Sequence, residues 1–456
     1  MKSFLRILGG EIVVILIAIA LIIWVPAQRT SAKALDLPTS DITAARGAYV
    51  ARAANCEDCH TGPGRKAYSG GLTVASPFGT IYSTNITPDK QYGIGDYSLD
   101  DFRAALYDGV RKNGTRLYPA MPYENYRLLS EADVESLYRY YMDEVKPVHD
   151  QPPQTHLAFP FNQRLGVRVW DWLALKNPRF KPPTDNPQIN RGAYLVQALG
   201  HCAACHSPRN WLMASNGIRD EDAKYLTGGK VDGRAVPPLL GKDSVTTRWS
   251  QTQIAQYLAT GRNAYTGAAG DMTSVVGNSL QHLSYDDIMA MSAYLKYLDA
   301  GTTEASAHSN DVPTKTQAML TAANPSTPLG ARLYLDNCDG CHFANGLGAP
   351  GVFPTLDGNP TVTAASATSL IETILYGAAM PSTQLRPERF RMPGFAWRLD
   401  DHDVATLATF LRQGWNNHAS AVTAGQVAAL RHKEAKPPLK SDERNAGRAD
   451  QARAGR

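Results

Sequence analysis

The chain has 456 residues, of which 43% are hydrophobic and 19% are charged, and its net charge is +4. This length is enough for two to four domains, and the composition is that of soluble globular domains, so we expect most of the chain to lie outside the bilayer. The small net charge and the lack of a basic run with interspersed aromatic residues argue against a nucleic-acid partner.

The N-terminus has the pattern of an export segment. Lys2 and Arg6 precede an unbroken apolar run at 12–25. A positive end followed by such a run is typical of a signal whose start stays in the cytoplasm. The run is short for a spanning helix and is followed by small residues suited to cleavage, but it is rich in Ile and Leu and ends near Trp24. We therefore expect residues 1–34 to be either a signal peptide or a retained membrane anchor.

A C-x-x-C-H motif occurs three times, at 56–60, 202–206 and 338–342. It is the attachment sequence of a c-type haem. Two thiols about one helical turn apart can each form a thioether with one vinyl group of the ring, and the next His then lies where its imidazole can bind the iron. The residues concerned are Cys56, Cys59 and His60, Cys202, Cys205 and His206, and Cys338, Cys341 and His342.

All six cysteines of the chain belong to these motifs. A zinc site would need four ligands but not a His directly after the second Cys, and a disulfide framework would more often have unequal spacings. We therefore predict three covalently attached haem c groups. Such attachment takes place on the outer side of the bacterial inner membrane, which agrees with an exported chain.

An internal repeat surrounds the motifs. Each copy begins with a small helix, continues through a loop rich in Gly and Pro and an amphipathic stretch that ends in Gly, and finishes with a capped helix. The predicted caps of the closing helices are Ser130, Ser284 and Asp400, each three residues before an acid. After each cap, apolar residues at i, i+3 and i+7 line one helix face.

This order of elements resembles the small all-α fold of class I c-type cytochromes, so we predict an all-α chain with three tandem domains of that type. We place them at 41–146, 188–300 and 329–417. A proline-rich connector at 147–187 and a linker at 301–328 would separate them, and the charged tail at 418–456 is expected to be disordered.

Each iron needs a second axial ligand, and a Met thioether there raises the reduction potential and blocks access of small molecules. The repeat offers Met121, Met272 and Met392 at comparable distances after the three haem His residues, with Met380 as a rival in the third copy. Methionines on the closing helices are interpreted as core residues.

An axial His usually donates its other ring N–H to a carbonyl, which fixes the orientation of the ring. Prolines that follow the motifs are candidates for supplying that carbonyl, and simple turn prolines are the alternative. The candidates are Pro237 or Pro238 for the second motif, Pro354 for the third, and Pro63 or Pro77 for the first.

Four further stretches carry a family resemblance. They are SPFGTIYSTNITPD at 76–89, LYPAMPY at 117–123, FPTLDGNP at 353–360 and MPGF at 392–395. The chain thereby resembles, from about Asp41 to Asn417, the three-haem cytochrome c subunits of bacterial membrane-bound alcohol, aldehyde, gluconate, sorbitol and fructose dehydrogenases.

The resemblance implies a subunit that takes electrons from a catalytic partner carrying a flavin or pyrroloquinoline quinone. It would pass them to ubiquinone at the periplasmic face of the inner membrane, and would itself be non-catalytic. Two alternatives stay open: a membrane-anchored shuttle that feeds a terminal oxidase, and a haem enzyme with one open catalytic iron. The Met380 and Met392 ambiguity makes the third copy the place for such an open iron.

Overall fold

The computed structural model describes residues 11, 13, 17, 29–33, 38–176, 179–241, 244–299 and 314–433. Most of the predicted signal or anchor segment lies outside these residues. Within the described part of the chain, no helix is both long and apolar enough to cross a membrane.

The chain divides into two compact units. The first comprises Met1–Ala51, Cys59–Lys181 and Asn210–Ala214, and the second comprises Arg52–Asp58, Pro182–Arg209 and Ser215–Arg456. Both are mostly helical, which confirms the predicted helical character. The division into three class I cytochrome c-type domains stays a prediction, and we refer below to the first, second and third motif regions at 41–146, 188–300 and 329–417.

The first motif region and the connector contain six α-helices and three strands among the described residues. The helices are α1 (Ala44–Ala53), α2 (Cys56–Cys59), α3 (Leu99–Asp108), α4 (Tyr123–Tyr126), α5 (Glu131–Arg139) and α6 (Leu165–Ala174). A π-helix at Tyr140–Glu144 continues α5, and a 3-10 helix precedes α1 at Thr39–Asp41. Strands β1 (Thr73–Ser76), β2 (Gly79–Tyr82) and β3 (His156–Leu157) form an antiparallel sheet in that order.

The second motif region has the same plan. Its helices are α7 (Pro187–Tyr194), α8 (Ala203–His206), α9 (Val245–Arg248), α10 (Gln251–Thr260), α11 (Asp271–Asn278) and α12 (Tyr285–Leu298). A π-helix at Leu195–Leu199 continues α7, and a 3-10 helix lies at Leu280–His282. Strands β4 (Gly229–Val231) and β5 (Arg234–Val236) form an antiparallel hairpin.

The last part of the chain carries the third motif region and two flanking helices. Its helices are α13 (Lys315–Ala322), α14 (Leu329–Asn337), α15 (Asp339–His342), α16 (Pro360–Thr363), α17 (Thr368–Tyr376), α18 (Asp401–Gln413) and α19 (Ala424–Lys433). Strands β6 (Ala378–Ala379) and β7 (Arg391–Met392) pair antiparallel.

The predicted caps form as expected. The side chains of Ser130, Ser284 and Asp400 accept the backbone N–H three residues later, at the starts of α5, α12 and α18. This bond satisfies one of the four N–H groups that a helix start leaves without an intrahelical partner. The apolar residues predicted to follow each cap are buried: Val134, Leu137, Tyr141, Ile288, Met291, Leu295, Val404, Leu407 and Leu411.

The amphipathic stretches form α3, α10 and α17, and each ends at the predicted glycine. Gly109, Gly261 and Gly377 have φ of 59°, 72° and 78°. Because a side chain disfavours this left-handed backbone, glycine is the residue that can end these helices in this way.

In the first and second motif regions the opening and closing helices cross at a glycine. A methyl group on Gly47 would overlap the carbonyl oxygen of Ser136, and one on Gly192 would overlap that of Ala290. The residue before each glycine is an arginine that binds the acid at the third position of the closing helix. These pairs are Arg46 with Asp133 at 2.8 Å and Arg191 with Asp287 at 2.7 Å.

Three further helices lie in the connector, the linker and the tail. The proline-rich connector contains the ten-residue helix α6, which lies between Pro160 and Pro178. Part of the 301–328 linker forms α13. The tail was expected to be disordered from 418 onward, but α19 is helical, and its Val427 is fully buried in the core of the third motif region. The rest of the tail, from 434, lies outside the described residues.

Candidate haem-binding sites

The three C-x-x-C-H motifs each contain a single helical turn, α2, α8 and α15. The second cysteine of each motif, Cys59, Cys205 and Cys341, is exposed. Burial raises the pKa of the Cys202 and Cys338 thiols to about 12.

The histidines of the motifs share one hydrogen-bonding arrangement. The Nδ1 atoms of His60, His206 and His342 lie 2.7, 2.8 and 2.9 Å from backbone carbonyl oxygens. A carbonyl oxygen can only accept, so each Nδ1 carries the ring proton and each Nε2 keeps its lone pair. An imidazole fixed in this tautomer fits the iron of a c-type haem as an axial ligand.

Burial adds to this arrangement. It lowers the pKa of His60, His206 and His342 below the ordinary value of an imidazole. The three rings are therefore neutral at pH 7, as a metal ligand has to be. The orientation and the protonation state of all three side chains fit the predicted haems.

The carbonyl partners agree with the sequence in two of the three motif regions. Pro237 and Pro354 supply the carbonyl in the second and third regions, which confirms both candidates. For the first region the candidates Pro63 and Pro77 are wrong, since the acceptor is Thr84. Every residue has a backbone carbonyl, so the type of the acceptor residue leaves no signal in the sequence.

The hairpins explain where these carbonyls lie. The chain between His60 and Thr84 contains β1 and β2, and the chain between His206 and Pro237 contains β4 and β5. In both cases the carbonyl comes directly after the hairpin, so the turn of the hairpin brings the chain back to the histidine.

Met121 lies in a loop that a buried polar cluster ties down. It is half-buried, and its carbonyl accepts the N–H of Tyr123. The Tyr123 hydroxyl donates to Asp171 of α6 at 3.0 Å, and Arg116 binds the other oxygen of that carboxylate at 2.6 Å. Burial raises the pKa of Tyr123, so its O–H stays a donor. The connector helix α6 thus helps to hold the loop that carries Met121.

Met272 is the second residue of α11 and is half-buried. The two rival methionines of the third region lie in different surroundings. Met392, in β7, packs against the core of the third region. Met380 is buried against Gly267 of the second region, where an added Cβ atom would lie 2.9 Å from the Met380 sulfur.

The arginines that precede Gly47 and Gly192 were missed from the sequence. A signal was present, because an Arg-Gly pair recurs at 46–47 and 191–192 and the partner acid follows each helix cap. Among the described residues, no three His, Cys, Asp or Glu side chains gather as a site for a bare metal ion.

Comparison with known proteins finds one matching family and several similar chains. The cytochrome c family matches residues 328–415. The gluconate 2-dehydrogenase cytochrome c subunit of Pantoea cypripedii is 41% identical over 88% of this chain and 92% of its own length. The cytochrome c subunit of the quinone alcohol dehydrogenase of Gluconobacter oxydans is 39% identical, over 85% and 81%. The fructose dehydrogenase cytochrome subunit of Gluconobacter japonicus is 37% identical, over 86% and 84%.

Proposed function

The chain belongs to the family of cytochrome c subunits of dehydrogenases, and on this premise we propose that it carries three c-type haems and conducts electrons away from a catalytic dehydrogenase subunit. The observation that supports the proposal most directly is the common state of His60, His206 and His342. All three are neutral, with Nδ1 bonded to a carbonyl and Nε2 available. When bound, a haem supplies one-electron chemistry at its iron.

The side chains have separate roles in this proposal. The paired cysteines would hold each group covalently, and each His would be one ligand of its iron. Met121, Met272 and Met392 would be the second ligands, and an iron held in this way would carry electrons without binding a substrate. Met392 is preferred over Met380 because Met392 packs in the core of the third region, whereas the Met380 thioether lies against Gly267 of the second region.

The electron donor would be a catalytic subunit with a flavin or pyrroloquinoline quinone, and the acceptor ubiquinone, at the periplasmic face of the inner membrane. The names of the three relatives, which are subunits of gluconate, quinone-linked alcohol and fructose dehydrogenases, support a dehydrogenase partner. The alternatives are a shuttle to a terminal oxidase and an enzyme with one open iron.

The number of haems can be tested with one double variant for each motif. Replacing both cysteines by alanine at Cys56 and Cys59, at Cys202 and Cys205, or at Cys338 and Cys341 is expected to remove one haem of three. The measurement is the mass of the purified protein and its haem content. A variant that keeps the full haem content would contradict attachment at that motif.

The iron ligands can be tested by optical and redox titration with cyanide and carbon monoxide. The unchanged protein is expected to be low-spin, to show the weak far-red band of Met ligation to Fe(III) and to resist both ligands. Met392→Leu is expected to lose about one third of that band, the share of one haem in three. Met380→Leu is the matched control and should keep all of it. A high-spin haem in the unchanged protein would instead support a catalytic iron.

The acceptor can be tested by mixing the reduced protein, purified with the dehydrogenase that accompanies it, with a short-chain ubiquinone. Oxidation of the haems by the quinone at a rate that follows its concentration is the expected result. Slow oxidation by the quinone, together with fast oxidation by membranes containing a terminal oxidase, would support the shuttle instead.

A further inference from the structure

A loop of the second motif region, Gly261–Ala268, reaches into the third motif region within the same compact unit. We refer to it as the bridging loop. Arg262 lies at its start, and its side chain is among the most buried in the described part of the chain, with 2% exposed. A buried guanidinium needs partners for its N–H groups, because leaving them without hydrogen bonds is costly.

Most partners of Arg262 are backbone carbonyls of the third region, and the carboxylate of Glu388 also lies 3.7 Å from its guanidinium. The guanidinium donates to Glu388 at 2.7 Å, to Arg386 at 3.2 Å and to Gly351 at 3.4 Å. It also lies 5.0 Å from the ring centre of Phe390, within the range of a cation–π interaction. One side chain therefore fixes two separate segments of the third region, 349–355 and 380–390.

The first of these segments orients His342. The bridging loop accepts two of its backbone N–H groups: Gly351 donates to the Asn263 carbonyl at 3.1 Å and Thr355 to the Tyr265 carbonyl at 2.9 Å. The residue before Thr355 is Pro354, whose carbonyl accepts the His342 Nδ1–H. The position of that carbonyl is thus fixed from the second region.

The second segment leads into Met392. Phe390 accepts the N–H of Met380 at 3.0 Å, and two residues later Met392 pairs with Ala378 in the β6–β7 ladder. The Met380 side chain in turn packs on Gly267 of the bridging loop, where there is no room for a Cβ atom. The strand that carries Met392 is therefore held against the same loop.

We propose that Arg262 is a positioning residue for the iron of the third motif region, because its loop holds both the carbonyl that orients His342 and the strand that carries Met392. This inference rests on the proposed function, in which His342 and Met392 are the axial ligands. It assigns to residues of the second region a role in the ligation, and so in the reduction potential, of the haem of the third.

The test compares Arg262→Gln with Arg412→Gln, each purified as the full haem-loaded chain. Arg412 is a matched control: it is 1% exposed and donates to the carbonyls of Ser420, Val362 and Ala364. All three acceptors lie outside the two segments that Arg262 contacts. The readouts are the far-red Met–Fe(III) band, followed as the pH is raised, and the three reduction potentials, all well below the unfolding temperature.

For Arg262→Gln we expect loss of up to about one third of the far-red band and a lower potential for one haem of three, because a weakened thioether ligand lowers the potential. The band should also disappear at a lower pH than in the unchanged protein. Arg262→Lys, which keeps the charge and places its N–H donors on a single nitrogen, should restore part of both signals. Arg412→Gln should lower the unfolding temperature but keep the band and the potentials.

Two results would overturn the inference: an unchanged band and unchanged potentials in Arg262→Gln, or the same spectral losses in Arg412→Gln. If the glutamine variants do not fold, Arg262→Lys and Arg412→Lys are compared by the same readouts, with a smaller contrast expected in the same direction. Met392→Leu separates this inference from the proposed function. If Met392→Leu keeps the full band, the assigned ligand is wrong; if it loses the band while Arg262→Gln does not, only the role of Arg262 is wrong.

Discussion

The first two motif regions and the third make the same helix crossing at different distances. In the first and second regions backbone meets backbone at Gly47 and Gly192, with no space for even a methyl group. In the third, an added Cβ atom on Gly330 would lie 3.1 Å from the carbonyl oxygen of Thr406 and 2.8 Å from Phe410 Cβ. The carbonyl is not overlapped there, so the third crossing is the looser one.

The charges at the crossing differ in the same way. Arg46 and Arg191 bind the acid near the start of the closing helix, but the third region has Leu329 at the corresponding position. There Arg431 of α19 binds Asp401 at 2.6 Å and also donates to two carbonyls. A helix that follows the repeat thus supplies the positive charge that the opening helix supplies in the other two regions.

The largest effect is expected at the tight crossing. Gly192→Ala should destabilise the second region by about 3 kcal/mol or more, since overpacking against backbone usually costs 1–3 kcal/mol. Gly330→Ala should cost less, about 1 kcal/mol, because the carbonyl oxygen of Thr406 that it faces is farther away than that of Ala290 at Gly192. The measurement is denaturant unfolding of the haem-loaded protein. Equal losses in the two variants would show that the crossings do not differ as described.

The next effect concerns the ion pair of the first two regions. Arg46→Gln leaves Asp133, whose side chain is 2% exposed, without its cation and should cost about 1–2 kcal/mol. In an Asp133→Asn background the same substitution should cost little, and this double-mutant cycle isolates the pair. A coupling close to zero would mean that the pair contributes nothing to stability.

A smaller effect is expected at the caps of the closing helices, which all three regions share. Ser130→Ala, Ser284→Ala and Asp400→Ala each remove a helix cap, and each should cost about 1 kcal/mol. The measurement is again denaturant unfolding, with Ser130→Thr as the control that keeps the capping oxygen. A loss confined to one region would indicate that the caps are not equivalent.

The smallest effect is expected where a backbone carbonyl, and not a side chain, orients the histidine. Thr84→Ala and Pro354→Ala keep the carbonyls that orient His60 and His342, so the reduction potentials should hardly change. A redox titration checks this. A large shift in the potential of one haem would show that the side chain, and not only the carbonyl, positions the histidine.

Patterns that repeat locally were predictable. The motifs, the three caps and the glycine helix ends follow from spacing and residue type, and the structure has the caps and helix ends as predicted. Contacts made by backbone carbonyls were not predictable, since any residue supplies one. Thr84 and the three acceptors of Arg262 are of this kind.

Long-range packing was also hidden from the sequence. The position of Met380 against Gly267 depends on how two regions meet, and neither residue type signals it. The helix α19 was missed because the tail as a whole is rich in charged residues, although Val427 and Leu430 of this helix pack in the core of the third region.

Each motif histidine bonds to a carbonyl farther along the chain, and the number of residues between the two differs among the regions. The separation is 24 residues in the first region and 31 in the second, both with a hairpin in between, but only 12 in the third. The family match at 328–415 falls on the region with the shortest span. Divergence of these regions is therefore expected to appear as insertions between histidine and acceptor, so related domains are better recognised by this bond than by loop length.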